Sequence, residues 1–292
     1  MILPHLRRRV AALGLAVLAA AGGAAACSSE DDDTVSIALR DPALEQWQVF
    51  VEEAEAAGID VDLVAMSGDN APNEAVREGE VDVNQFQHLK YLARYNEGTG
   101  ARLRVVGSTE IVPLSLYWKD HDSLDGIEGE DVAIPNDPTN QGRAINLLAQ
   151  EGLVELRGEE QLEPVPADID EEASAVTVTP VDVTNGTVAY NEGRPAIMTN
   201  NFIARAGISP SEAVAQDDPE DPRAEPYINA FIALEDRTDD PVLLELVEIW
   251  HSEPVQEAIQ RESRGTSVPV RRPAEELDEI LERLEQDVRE SR

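Results

Sequence analysis

The sequence predicts an α/β protein in two lobes with a ligand cleft between them, and three observations carry that prediction. Between residues 34 and 108, apolar runs of strand length alternate with helical stretches, the rhythm of a mainly parallel sheet flanked by helices. The chain from Cys27 onward has 266 residues, the size at which a single core stops growing and chains divide. Extended segments near 109–114 and 222–228 leave one lobe and return to it, and two such crossings make a hinge. The expected lobes are 34–113 with 225–292, and 114–224.

Residues 1–26 stand apart from the fold. Arg7-Arg8-Arg9 precede an Ala- and Leu-rich apolar run, and Cys27 follows three alanines. That is the pattern of a secretory signal ending in a lipobox, with Cys27 as the acylated residue, carrying palmitate or a similar chain, that anchors the protein on the outer face of the cell membrane. Cys27 is the only cysteine in the chain, so disulfides, cysteine metal sites and catalytic thiols are excluded. Residues 27–33 read as an acidic tether.

In the first lobe, Thr34 to Leu39 alternates as a strand. Asp41-Pro42 then opens a helix whose stripe is Leu44, Trp47, Val51 and Ala54, closing at Gly58, and Ile59 to Val64 is a second strand. The stretch Pro72 to Tyr91 concentrates the chemistry. A short helix closes at Gly79, a strand runs from Val81 to Asn84, and a second helix starts near Phe86, bringing His88 and Tyr91 to one face. Ligands of open α/β sheets sit at such strand ends. For any one of these residues alone, burial in a core is the commoner role. A strand at 104–108 completes the lobe.

The second lobe begins with a strand at Leu114 to Trp118, then a turn-rich link and a buried strand at Asp131 to Ile134. Pro135 to Asn140, PNDPTN, reads as a tight turn leading into a helix capped by Thr139 or Asn140, with Ile145, Leu147 and Leu148 inward. The first turn of that helix favours an anion. Arg143 can add a bidentate grip on a carboxylate. The competing reading is that Asn136, Asp137 and Thr139 only build the turn and Arg143 lies on the surface. Residues 152–175 read as a helix and a loop, 176–183 as a strand, Ala196 to Met198 as a short strand ending on Asn200-Asn201, and 210–225 as a loop. A returning strand at 227–234, a helical stretch at 240–262 and an amphipathic helix at 275–290 complete the chain.

From Cys27 onward the chain carries 20 basic against 59 acidic residues. Such a charge excludes nucleic acid and anionic lipid as partners. The acids are scattered instead of clustered at ligand spacing, so they read as a solvated surface suited to high salt, with no metal and no cofactor.

The words Pro72-Asn73-Glu74, Phe86-Gln87-His88-Leu89-Lys90-Tyr91, Pro135 to Asn140 with Gly142-Arg143, and Glu225-Pro226-Tyr227-Ile228-Asn229 resemble the signature of the methionine-binding lipoproteins (NlpA-type), the substrate-binding subunits of methionine ABC importers. The resemblance covers about residues 34–263. It implies a type II periplasmic-binding-protein-like fold and an extracytoplasmic, lipid-anchored monomer that hands a free amino acid, methionine above all, to an ABC permease and its ATPase. It also implies that Arg143, Asn201 and Asn229 hold the α-groups while Phe86, His88 and Tyr91 form the side-chain slot, with Asn136 and Thr139 nearby. One departure bears on the ligand: Asp69-Asn70 stand where the family carries a tyrosine. Tyr117 is a candidate to fill that gap, and a more polar amino acid or a short peptide is the alternative ligand. Catalysis is not expected, since the chain has no G-x-S-x-G elbow, H-E-x-x-H pair or Walker loop. A surface lipoprotein that binds partners without transport is the remaining alternative.

Overall fold

The computed structural model describes residues 34–158, 161–203 and 206–291; the side chains of Asn200 and Asn201 fall outside the description. The signal, Cys27 and the tether also lie outside the described residues.

The chain builds β1 (Val35–Leu39), α1 (Glu45–Ala57), β2 (Val61–Ala65), α2 (Ala71–Glu78), β3 (Val83–Asn84), α3 (Leu89–Thr99) and β4 (Leu103–Ile111), then β5 (Leu114–Tyr117), β6 (Asp131–Pro135), α4 (Pro138–Gln150), β7 (Thr177–Val181), α5 (Gly186–Asn191), β8 (Ala196–Thr199), α6 (Asn200–Ile203) and β9 (Ala213–Gln216). It ends with β10 (Ile228–Leu234), α7 (Pro241–Trp250), α8 (Glu253–Glu262), β11 (Val268–Pro269) and α9 (Ala274–Glu290).

Two sheets form. The first runs β11-β4-β10-β3-β1-β2 and the second β7-β6-β8-β5-β9. Both are mixed, not mainly parallel. In the first, β1 pairs parallel with β2 and β3, but β10 enters antiparallel between β3 and β4. The reason is the crossing itself, because a strand that returns from the other half arrives running the opposite way. Ile228 pairs with Ile111, so the two crossings lie side by side.

The first sheet is covered on both faces. On one, Leu89 and Leu92 of α3 meet Leu277, Ile280, Leu281 and Leu284 of α9, so the amphipathic tail docks by its apolar stripe. On the other, Trp47, Phe50, Phe231 and Trp250 form an aromatic cluster, with Trp47 and Trp250 ring centroids 4.8 Å apart. Phe50, not Val51, completes the α1 stripe, and the helix closes at Gly58, whose φ of +85° suits a residue without Cβ. The second sheet buries Ile134, Ile145, Leu147 and Leu148 on one side and Tyr117, Ala189 and Met198 on the other.

Several boundaries differ from expectation. The 240–262 stretch is two helices, because Ser252 and Pro254 start a new one after Trp250. Residues 152–157 form no helix; α4 ends at Gln150 and the acid-rich connection carries a 3-10 turn at Pro166–Asp168. The 210–225 loop contains β9, which pairs with β5 and finishes the second sheet.

Candidate functional site

The carboxyl ends of β1, β3 and β6 converge where the two halves meet, and a cavity of about 90 Å³ lies there. Phe86, His88, Tyr91, Asn136, Arg143 and Asn229 all line it. So do Asp69, Asp137 and Asn140, named in the sequence only as a departure and as turn or cap residues, and Arg40 and Phe202, which sequence reasoning did not single out. Thr139 and Tyr117 do not line it, and nothing is described of the Asn201 side chain.

The loop after β3 is set by amides. Asn84 donates to Asn73 Oδ1 at 3.0 Å and to the Pro72 carbonyl at 3.2 Å, Asn73 donates to Gln87 Oε1 at 2.8 Å, and Gln87 donates to both asparagines. All three are buried. A closed amide network of this kind satisfies every member and fixes one loop shape. That loop is not helical: α3 starts at Leu89 and Phe86 precedes it, because His88 is the N-cap.

The His88 ring is defined at both nitrogens. Nδ1 accepts from the Tyr91 amide at 3.1 Å, and Nε2 lies 3.3 Å from Asn140 Oδ1. An Nδ1 that accepts leaves the proton on Nε2, which donates to Asn140. Burial, aided by the neighbouring Arg143 charge, drives this imidazole down to about 3, so it is neutral throughout the physiological range. His88 also joins Asn229 through an isolated antiparallel bridge, and the Asn229 amide donates to the Glu110 carbonyl at 3.2 Å.

Phe86 and Tyr91 meet edge to face with centroids 6.0 Å apart. The Arg40 guanidinium sits 4.7 Å from the Phe86 centroid and donates to the carbonyls of Gly68 at 2.7 Å and Asp69 at 3.1 Å; the Tyr91 hydroxyl donates to the same Asp69 carbonyl at 3.0 Å. Arg40 and Tyr91 thus hold the 68–69 loop over the slot. Its position just past the end of β1 was the available signal for Arg40.

The helix start at α4 differs from expectation. Asp137, not Thr139 or Asn140, is the cap: its carboxylate accepts from the Asn140 amide at 2.9 Å and from the Thr139 hydroxyl at 2.8 Å. An aspartate one residue before Pro138 reaches the first-turn amides more easily than a side chain already inside the helix. The helix end is therefore already occupied by a carboxylate, and Thr139 serves the turn, 2 % exposed.

Arg143 falls in the second turn of α4 and is 4 % exposed. Its Nε donates to Asp217 Oδ2 at 2.5 Å, its Nη2 to the Val112 carbonyl at 3.0 Å, and its guanidinium lies 4.1 Å from the Tyr227 centroid. Asp217 Oδ1 accepts from the Leu114 amide at 2.9 Å. Arg143 is thus oriented by a partner and tied to the first crossing, while Nη1 has no hydrogen bond among the described residues. Asp217 was not legible, being one acid in an acid-rich loop. A larger depression of about 350 Å³ on the other side of Arg143 carries none of Phe86, His88, Tyr91 or Asn229.

Tyr117 is a correction. It is fully buried in the second sheet among Ala133, Ala189 and Met198, since its place at the end of β5 opposite Ala196 turns it into the core and away from the cavity. The missing aromatic wall is not supplied from there. Asp69 lines the slot in its own right.

The cavity therefore combines an aromatic slot, several amides, a neutral imidazole and an oriented guanidinium, with no reacting group positioned against a base. That set suits binding a small dipolar molecule.

Known proteins agree with the geometry. The chain is 31 % identical over 215 residues to the D-methionine-binding lipoprotein MetQ of Escherichia coli K12, covering 72 % of this chain and 78 % of the relative. An ABC transporter periplasmic substrate-binding protein from Coxiella burnetii superposes with a TM-score of 0.74 at 30 % identity, over 81 % of this chain and 100 % of that one. A nutrient binding protein from Burkholderia cenocepacia, bound to methionine, superposes with a TM-score of 0.73 at 27 % identity, over 80 % and 99 %. The model of the NlpA lipoprotein family matches residues 35–271, and the chain belongs to that family.

Proposed function

We propose that this lipoprotein captures a free amino acid, methionine first among them, outside the cell membrane and delivers it to an ABC permease. It is a binding protein, not an enzyme. The observation that carries the reading is the gathering of Phe86, His88, Tyr91, Asn136, Arg143 and Asn229, drawn from both halves, around one small cavity. The relatives named for methionine and for ABC transport support the same reading.

In this reading Arg143 Nη1 takes the α-carboxylate, and the amide oxygens of Asn229 and Asn136 take the α-ammonium. Phe86 and Tyr91 wall the side chain, and a thioether against aromatic edges contributes roughly 0.3–1.5 kcal/mol per contact. Residues 34–113 with 225–292, and 114–224, are the two lobes that close on the guest. Cys27 is the lipid anchor, the chain acts as a monomer, and a membrane permease with its own ATPase receives the cargo. No helix among the described residues is long and apolar enough to cross a membrane.

A second reading is favoured by one observation. Arg40 and Asp69 place opposite charges along the slot, which suits a more polar side chain than methionine. Gentle purification, denaturation and mass spectrometry of the released small molecule decide between them. Methionine in near-stoichiometric amount supports the first reading, a polar amino acid the second, and an empty protein that binds no amino acid by calorimetry contradicts both.

A further inference from the structure

Lys90 is one of two lysines in the chain and its side chain is 2 % exposed. It stands in the first turn of α3, two residues from His88, yet its partners lie in the other half. Its Nζ donates to the Leu162 carbonyl at 2.8 Å and lies 3.5 Å from Glu163 Oε1. One turn along α3, Arg94 Nη1 donates to Glu163 Oε2 at 2.9 Å. Two cations of one helix thus hold one carboxylate and one carbonyl of the 161–163 segment.

That segment is seated on α4. The Asn146 amide donates to the Gln161 carbonyl at 3.1 Å, and Gly142 lies so close that a Cβ there would stand 2.8 Å from Glu163 Cα. Gly142 precedes Arg143 in α4, so the seat and the proposed carboxylate grip share a helix. They also share Tyr227, whose ring lies 5.5 Å from Lys90 Nζ and 4.1 Å from the Arg143 guanidinium. Burial lowers Lys90 to about 8 despite Glu163, which shows how much desolvation the contact must offset. A fold needing only stability would more readily place an apolar residue there, because paired buried charges gain little over well-packed apolar ones.

We propose that Lys90 and Arg94, gripping Leu162 and Glu163, are a latch that holds the two halves closed over the cavity and sets how long the bound amino acid stays. The proposal rests on the amino-acid reading for its ligand, but not for the closure itself. Ligand contacts decide which guest is held. The latch, outside the cavity, acts on all guests alike.

Two measurements test it on wild type, Glu163→Gln, Arg94→Met and Lys90→Met. The first is the dissociation rate of methionine, read by stopped-flow intrinsic fluorescence. The second is the radius of gyration of the unliganded protein by small-angle scattering. Lys90→Met and Glu163→Gln are expected to release methionine about tenfold faster, with the association rate changed far less, as when one partner of a desolvated charge pair is removed, and Arg94→Met, at the more exposed end of the grip, about threefold faster. The unliganded variants are also expected to be more extended than wild type. Rates within twofold of wild type together with unchanged radii overturn the latch. If wild type binds no methionine, the amino-acid reading falls and the radii decide alone: expansion in Glu163→Gln, the mildest change, supports the latch, and an unchanged radius overturns it.

Discussion

Arg143 is where burial and charge are most tightly balanced. Its guanidinium is desolvated, held by Asp217 and turned so that one nitrogen is left for a guest. Replacing it by methionine is expected to reduce amino-acid binding by at least about 100-fold, the order for leaving a desolvated carboxylate without its charge-assisted partner. Asp217→Asn is expected to behave differently, costing about 3–5 kcal/mol of folding stability by leaving a buried arginine short of its counterion. Calorimetry and denaturant unfolding on both variants separate the roles, and equal losses of stability and of binding in the two would contradict the division. Glu110 makes a second residue-scale prediction. Burial raises it from 4.5 to about 7 against hydrogen bonds from Thr109, Trp250 and Gln85. A carboxyl raised in the folded state contributes stability that is fully present below pH 4.5 and lost as pH rises through about 7. His88 works the other way, being depressed from 6.5 to about 3, so its contribution is present above 6.5 and lost as pH falls toward 3. Glu110→Gln is therefore expected to remove a decline on the order of 3 kcal/mol between pH 5 and 8. An unfolding free energy whose pH profile is identical in variant and wild type contradicts the assignment.

Among elements, α4 does the most. Its cap Asp137 fixes where it starts, Arg143 projects from its second turn, and Gly142 gives the 161–163 segment a place to lie. Gly142→Ala adds helix propensity and would stabilise an isolated helix. Here the added Cβ meets backbone, so a net loss of about 1–3 kcal/mol is expected, with tighter packing giving way at Glu163. Thermal unfolding checks the sign; a stabilised variant would show that the segment moves aside freely. The same element marks what sequence could and could not convey. The word PNDPTN announced a turn, a cap and a helix, since Pro, Asn and Asp have local mechanisms. Which residue caps was misassigned to Thr139 or Asn140, because the choice depends on backbone angles that residue types leave open. The start of α3 was misplaced for the same reason: Phe86 and Gln87 carry helix-compatible side chains, but three buried amides pull their backbone into a loop. The strands β1 and β10 were legible as apolar runs of strand length, and the apolar stripe of α9 because its period and its burial coincide. The antiparallel entry of β10 was not, since pairing direction depends on where the chain has been in between. Asp217 escaped notice because a single acid in a chain this acidic carries no local pattern, and Arg40 because its one signal, a place just past the end of β1, was not used.

At the scale of the whole molecule, the chain passes between the two sheets where β4 runs on toward β5 and where it returns into β10, and these connections lie side by side. Paired crossings of that kind are the geometry of a hinge, and the proposed capture uses it to part and close the halves as units. Hydrogen bonds that span them include His88 with Asn140, Lys90 with Leu162, Arg94 with Glu163 and Arg264 with Ser209. In the proposed latch the desolvated Lys90 contact resists opening, while the more exposed polar contacts are remade in water at little cost. The central claim is that a free amino acid lies in the crevice between them with its carboxylate on Arg143. The most direct test is a crystal structure of the protein with methionine. The account predicts the α-carboxylate on Arg143 Nη1 and the side chain between Phe86 and Tyr91. A guest seated elsewhere, or an Arg143 that touches Asp217 and Val112 but never the guest, would contradict it.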